Sequence, residues 1–475
     1  MLAVLAPVIV FGLVIFVHEL GHFIAAKLTG VYAPRFSIGF GPALWKHRRG
    51  ETEYVLALLP LGGYVRMASR HDAEAAFIEG GTEESSALKP GDAAYDPQAM
   101  IPFGPRPVPE DRWFESKSLA ARLFIMVAGV TMNVLLAFVA LTYVALVYGE
   151  PYIATRVVGA VRPPASAPML SQIQAGDTIV RVNGATVDSW SDIAEHIVGT
   201  TTGAVTLTTQ RGDVRVPLGA PGAPSSEDVL GAIDFFMPPV IGAISPGGPA
   251  MRAGLRAGDR VVTIGHVPVS SSSQLQERVT AAPGVALPFE VRRAGRTVAL
   301  TVKPESTTTT DSRTKESRVV GRIGVTFADV TSRRPMGVAP SVRTGAEQTW
   351  RVATSIVGVV HGLITREVSV RQLGGPIAIT RASVAAAQSG LETLLTLIAL
   401  LSVNVAVLNL LPIPILDGGQ IVINVAEAAK GSPFTSRTRE YILRFGLVAI
   451  LLLFVMTTFN DVVVGFKDVV ARLFG

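Results

Sequence analysis

Four long apolar runs constrain this chain before any other feature. They cover about Leu2 to Ala26, Ala120 to Tyr148, Leu391 to Leu411 and Tyr441 to Thr458. Each approaches or exceeds the ~20 residues that a helix needs to cross a bilayer core. In lipid a backbone must satisfy its own polar groups, so runs of this kind are expected as helices. A hydrophobic fraction of 49% over 475 residues fits a multi-pass membrane protein rather than an ordinary soluble enzyme. Charge sets the expected orientation. No Lys or Arg precedes Lys27, whereas the segment after the first run carries Lys27, Arg35, Lys46, Arg48, Arg49, Arg66, Arg70, Lys117 and Arg122. The segment between the third and fourth runs carries Lys430, Arg437, Arg439 and Arg444. Both segments are therefore expected on the cytoplasmic side, with the stretch 149–390 outside. The first run lacks a basic leader and is read as a permanent span, not a signal peptide.

Composition removes several functions. The 42 basic and 37 acidic residues are spread along the chain, so no nucleic-acid partner is expected. With no cysteine, disulfides and thiolate metal sites are excluded, and any metal must be held by His, Asp or Glu.

Such a site is suggested within the first run, where His18-Glu19-Leu20-Gly21-His22 reads H-E-x-x-H. Residues four apart share a helix face, so His18 and His22 can offer ring nitrogens to one ion, with Glu19 beside it. Zinc suits imidazole, and a zinc-held water ionises near neutral pH, so that Glu19 could move its proton to a leaving amine. Charged groups in lipid are costly, which weighs against a chance match. Two histidines do not complete a zinc site. The candidate third ligand is Asp417, in Asn409-Leu410-Leu411-Pro412-Ile413-Pro414-Ile415-Leu416-Asp417-Gly418-Gly419, where two prolines interrupt the helix at the same expected depth. A helix cap is the plainer alternative for Asp417. Asn404 and Asn409 could hold a substrate backbone or an oxyanion, or simply bond between helices, as Asn133 is expected to do. His47, His71, His196, His266 and His361 occur singly, and none is read as a ligand.

Between the first two runs, Thr52–Ala57 and Gly63–Met67 are expected as short strands of a hairpin lying against the membrane site, and His71 to Glu110 as a mobile insertion. The outer stretch holds two similar passages. One runs from Val158-Gly159-Ala160-Val161 to Ala175-Gly176-Asp177 and a helix Ser191 to Val198. The other runs from Ile241-Gly242-Ala243-Ile244 through Ala253-Gly254-Leu255 and Gly258-Asp259 to a helix Ser273 to Thr280. Both resemble PDZ domains, which bind an extended peptide at a sheet edge. The second keeps the pattern, and the first departs from it at Ala165 to Gln174. A polar linker is expected over Glu305 to Arg318, and membrane-surface helices over Thr344 to Thr365 and from Gly375-Pro376 to Ala387.

Taken together, these passages resemble the site-2 protease family along nearly the whole chain. The motifs are His18 to Phe23; Arg35-Phe36-Ser37-Ile38-Gly39-Phe40-Gly41-Pro42; Glu53-Tyr54; Pro60 to Val65; Ala128-Gly129 with Asn133; Gly375-Pro376-Ile377; and Ser402 to Gly419. The resemblance implies one catalytic zinc held by His18, His22 and Asp417, with Glu19 as acid/base. It implies substrate contacts from Asn409 and, less, Asn404, and from a hairpin that clamps the unwound substrate and includes Gly62, Gly63 and Tyr64. The substrates implied are single-span membrane proteins, such as anti-sigma factors and remnant signal peptides, cleaved in a bacterial inner membrane. The PDZ pair, implied as a size filter for trimmed substrates, would face the periplasm and bind peptide or protein ligands. The expected fold is a multi-pass α-helical membrane protein with four transmembrane helices and a membrane-associated β-hairpin, plus two inserted PDZ-type β-sandwich domains. Its expected divisions are 1–26, a cytoplasmic loop 27–119, 120–148, PDZ domains at 149–230 and 231–304, 305–390, 391–425, a loop 426–440, and 441–475. Two departures from the family, the long insertion and Val130 after Gly129, leave the metal motif untouched. A PDZ-bearing membrane adaptor with a structural zinc site is the alternative, and Glu19 is the discriminator, since a structural site needs no free carboxylate. A metal transporter is a third reading, but the spans carry no relay of acids.

Overall fold

The computed structural model describes residues 2–69 and 95–474, apart from 221, 246, 311–316, 329, 366 and 369–373. Most of the insertion expected at His71 to Glu110 therefore lies outside the described residues. The chain forms two compact units, one from 1–149 and 335–466, the other mainly from 150–334.

In the first unit the helices are α1 (Leu2–Leu28), α2 (Leu119–Tyr148), α3 (Val338–Ile364), α4 (Pro376–Ser389), α5 (Leu391–Asn409), α6 (Asp417–Lys430) and α7 (Ser436–Phe474). Four of them, α1, α2, α5 and α7, are long and apolar enough to cross a membrane. Helix α2 begins where the Ser118 side chain accepts a bond from the Ala121 amide and ends at Gly149. It packs against α1, α3, α5 and α6. Small residues let these helices approach closely: Ala137 and Ala140 of α2 meet Ala399 of α5 in one buried cluster. Helix α7 keeps Phe445, Leu452 and Phe459 exposed, as a lipid-facing helix should. It is tied to α4 by Asp461, which accepts bonds from the Gly375 and Ala378 amides at 3.0 and 2.9 Å. The third span is shorter than expected. It stops at Asn409, and α6 is a separate helix, because Pro412 and Pro414 cannot continue the hydrogen-bond ladder. Helices α3 and α4 cover the two stretches expected as surface helices. Helix α3 packs along α2 and α5, and α4 along α1 and α5.

The two short strands expected at Thr52–Ala57 and Gly63–Met67 are parts of one fifteen-residue strand, β2 (Thr52–Arg66), and its partner is a second strand that was not expected, β1 (Arg35–Arg49). They pair twice. Ala43 to Arg49 runs against Thr52 to Ala57, and Arg35 to Ile38 pairs on one side with Glu53 to Leu56 and on the other with Gly63 to Arg66. The result is a small sheet with Gly63 to Arg66 at one edge. Gly39 and Gly41, at φ of 89° and 87°, make the turn that lets one strand occupy two places. Aromatic rings dock this sheet on α1, with Phe36 at 5.9 Å from Phe16 and 5.3 Å from Phe23. The Arg35 guanidinium bonds Glu53 at 2.9 Å across two neighbouring strands.

In the second unit, one lobe has a four-stranded sheet in the order Ala185–Thr186, Ile179–Val182, Gly203–Thr209, Gly212–Leu218. Val158–Val161 pairs with Ile233–Phe235 beside it. Ser189 caps the helix Trp190–Val198, and Ile179, Ile193, Ile197 and Leu207 fill the core. The other lobe repeats this chain order: Val267–Pro268, Arg260–Ile264, Leu287–Arg293, Arg296–Val302. Ile241–Ile244 pairs with Val325–Phe327, Ser271 caps Ser272–Thr280, and Phe289 and Leu275 are central. The expected boundaries at 230 and 304 cut off the closing strand of each lobe. The expected linker is also structured: Glu305–Thr310 pairs with Ser317–Arg322. A threonine-rich run reads as a linker by polarity, but its β-branched side chains favour a strand.

The turn between β1 and β2 carries a charge lock outside the spans. Glu51 accepts from Lys27 at 2.6 Å and from Arg112 at 2.8 and 2.9 Å. Its bonds to Arg112, with those to Lys27, outweigh partial burial and lower its pKa from 4.5 to about 2. A depressed carboxylate stabilises the fold fully above its unfolded pKa and loses that contribution as pH falls through the folded value. Glu51→Gln should therefore raise amide exchange at residues 48–53 at pH 7, and the difference from wild type should close between pH 4.5 and about 2.

Candidate metal centre

Each proposed ligand arrives from a different constraint. His18 and His22 lie one turn apart on α1, both only 6% exposed. Asp417 is the first residue of α6, brought in by the chain that breaks at Pro412 and Pro414. It does not cap α6, whose N-cap is Leu416 with no side-chain bond.

The three donors form a nearly equilateral triangle. His18 Nε2 lies 3.1 Å from His22 Nε2, and Asp417 Oδ2 lies 3.3 and 3.4 Å from the two nitrogens. A tetrahedral zinc with bonds of about 2.0–2.1 Å needs donors roughly 3.3–3.4 Å apart. Asp417 Oδ2 is buried and has no hydrogen-bond partner, as an oxygen reserved for an ion should be. His22 Nδ1 donates to the Ile125 carbonyl at 2.8 Å, which leaves the Nε2 lone pair free to bind metal. This donor set fits zinc. Among the described residues it is the one group of three or more His, Asp or Glu that converges for a metal.

Glu19 does not join the triangle. It points toward the sheet edge, where a Cβ on Gly63 would lie 3.2 Å from its Cγ. Tyr64 stacks on Phe40 with ring centres 6.1 Å apart, and Gly62 lies directly beneath the Phe40 ring. Asn409 reaches the centre, its amide nitrogen 3.1 Å from His18 Nε2. Asn404 is half-buried on α5 and makes no hydrogen bond to the three donors.

Sequence reading overlooked the support from α2. Helices α1 and α2 touch at Gly21 and Gly129: a Cβ on Gly21 would lie 2.4 Å from the Ala128 carbonyl oxygen, and one on Gly129 would lie 2.4 Å from His22 Nε2. The signal available was the spacing of Ile125, Gly129 and Asn133, four residues apart on one helix face.

A family model for peptidase family M50 matches residues 6–453. The chain belongs to peptidase family M50. It is a zinc metalloprotease of the site-2 type, which sets aside the adaptor and transporter readings. Regulator of sigma-E protease RseP of Escherichia coli K12 is 30% identical over 476 residues, covering 96% of this chain and 97% of that protein. The RseP of Salmonella typhimurium is 29% identical over 470 residues, with 96% and 97% covered. A Neisseria meningitidis protein whose name carries the words zinc metalloprotease is 30% identical over 484 residues, with 95% and 97% covered.

Close packing at Gly129 gives a direct test of this M50 site. Gly129→Ala puts a methyl group against both imidazoles and should weaken zinc binding roughly 10-fold or more, as measured by competition with a chelator.

Proposed function

We propose that this M50 protease hydrolyses peptide bonds within the transmembrane segments of single-span membrane proteins. The observation that carries this reading is a carboxylate, Glu19, set between a zinc-sized donor triangle and an unpaired sheet edge on helices of membrane-spanning length. In this reading His18, His22 and Asp417 hold the zinc. Bound there, zinc supplies Lewis acidity that makes water nucleophilic near neutral pH.

The remaining work belongs to the chain. A substrate helix hides its amides in its own hydrogen bonds and must unwind before a carbonyl can be attacked. Gly63 to Arg66 pairs with β1 on one side only, so its outer side offers backbone groups to an extended substrate strand. Gly62 and Gly63 keep side chains off that approach, and Tyr64, held by Phe40, borders it. Glu19 takes a proton from the attacking water and delivers it to the departing amine. Its side chain lies beside Gly63, on the strand that aligns the substrate. Asn409 is close enough to the donors to bond the developing oxyanion, with Asn404 further along α5 in a lesser role.

The two lobes act in this reading as PDZ-type modules on the periplasmic side of the inner membrane, the active site lying toward the cytoplasmic side. The second lobe supports peptide binding best. A cleft of about 490 Å³ runs between Val325–Phe327 and the helix Ser272–Thr280, lined by Leu275, Val279, Ile323 and Arg322. In the first lobe the helix Ser226–Ala232 packs against Trp190–Val198 and adds Val229 and Ala232 to the core. That contact fills the equivalent approach. Of the natural substrates read from the family resemblance, anti-sigma factors are in keeping with the sigma-E wording in the relatives' names, and remnant signal peptides rest on the resemblance alone.

Purified Glu19→Gln should keep wild-type zinc content yet cleave a model single-span substrate about 10²–10⁴-fold more slowly. Asp417→Ala should lose both zinc and cleavage. Full cleavage by the Gln variant refutes the acid/base role; full zinc content in the Ala variant refutes the ligand set.

A further inference from the structure

Asn133 is fully buried in α2, and the mechanism above gives it no task. Its amide nitrogen lies 3.3 Å from His18 Nδ1, its amide oxygen has no partner, and its backbone carbonyl accepts from the Ser402 hydroxyl at 2.8 Å.

A neutral imidazole carries one ring proton. With the His18 Nε2 lone pair turned into the donor triangle, that proton sits on Nδ1, which becomes a donor. An amide NH₂ facing it would set donor against donor. The oxygen and nitrogen of an amide have nearly the same shape, so the hydrogen-bonding partner decides which of them faces the ring. We infer that Asn133 presents its Oδ1 to His18 and accepts the Nδ1–H bond. It is thus a positioning residue that fixes the His18 tautomer and ring plane, as the Ile125 carbonyl does for His22. Ile125, Gly129 and Asn133 then form one working face of α2. Ile125 orients one imidazole, Gly129 makes room for both, and Asn133 orients the other.

This inference rests on the reading of His18 as a zinc ligand, and the test separates the two. Full-length protein in detergent is titrated with zinc against a chelator, and its cobalt-substituted absorption spectrum is recorded. Asn133→Leu, similar in size but without an acceptor, should bind zinc 10- to 100-fold more weakly, the usual cost of removing an outer partner of a metal-ligating histidine. Asn133→Asp, which can only accept, should bind within threefold of wild type or more tightly and keep the wild-type cobalt spectrum. Ser402→Ala removes the bond to the Asn133 backbone but spares the amide, and should leave zinc affinity unchanged. Wild-type affinity in Asn133→Leu overturns the inference. So does an Asn133→Asp or Ser402→Ala variant as weak as Asn133→Leu, because helix packing would then explain all three. If Asn133→Leu does not fold, Asn133→Ala, which also lacks an acceptor, is read in its place against the same two outcomes. Wild-type zinc binding by His18→Ala would instead overturn the ligand assignment, and this inference with it.

Discussion

The architecture of the first unit depends on how closely α1 and α2 approach each other. At Gly21 and Gly129 there is no room for a single methyl group between backbone and imidazole. That proximity lets a main-chain carbonyl of α2, from Ile125, bond His22. It also puts a buried amide beside His18. Polar groups in an apolar interior are costly unless paired, and here both imidazoles find partners on the neighbouring helix. The two imidazoles are therefore held by the neighbouring helix as much as by their own.

A second constraint is the broken helix after Asn409. Prolines at 412 and 414 end α5 and allow α6 to start afresh with Asp417 at its first position. A continuous helix would carry that carboxylate along its own axis instead of toward α1. Helix α6 is secured further along, where Arg122 of α2 donates to Asn424 at 2.7 Å and Arg439 bonds the buried Glu427 at 3.1 Å. The sheet completes the arrangement. Its aromatic face grips α1, its turn is locked through Glu51, and its edge at Gly63 to Arg66 comes to rest against Glu19.

Local pattern made much of this legible. The four spans follow from run length, and the helices Trp190–Val198 and Ser272–Thr280 lie within one residue of expectation, because each starts at a serine cap. The errors of strand pairing share one cause. β1 goes unread, and β2 is read as two short strands, because each pairs in two places and pairing between distant residues leaves little local trace. The closing strands of the lobes, Ile233–Phe235 and Val325–Phe327, were missed for the same reason. In the threonine-rich stretch after Pro304, polarity was given more weight than β-branching.

For the site itself, spacing determined that His18 and His22 share a helix face with Glu19 beside them, and the absence of cysteine limited any further candidate donor to a carboxylate or imidazole. Asp417 stood out as a candidate because a charge beside two prolines at the end of a span needs a reason, and the structure brings it to the two imidazoles. Only the tertiary structure decided how Glu19 is oriented, which groups hold the imidazoles, and that Asn409 rather than Asn404 reaches the donors. Helical periodicity places a residue on a face. What that face meets depends on helix crossings and strand pairings between residues more than a hundred positions apart, which no local pattern encodes.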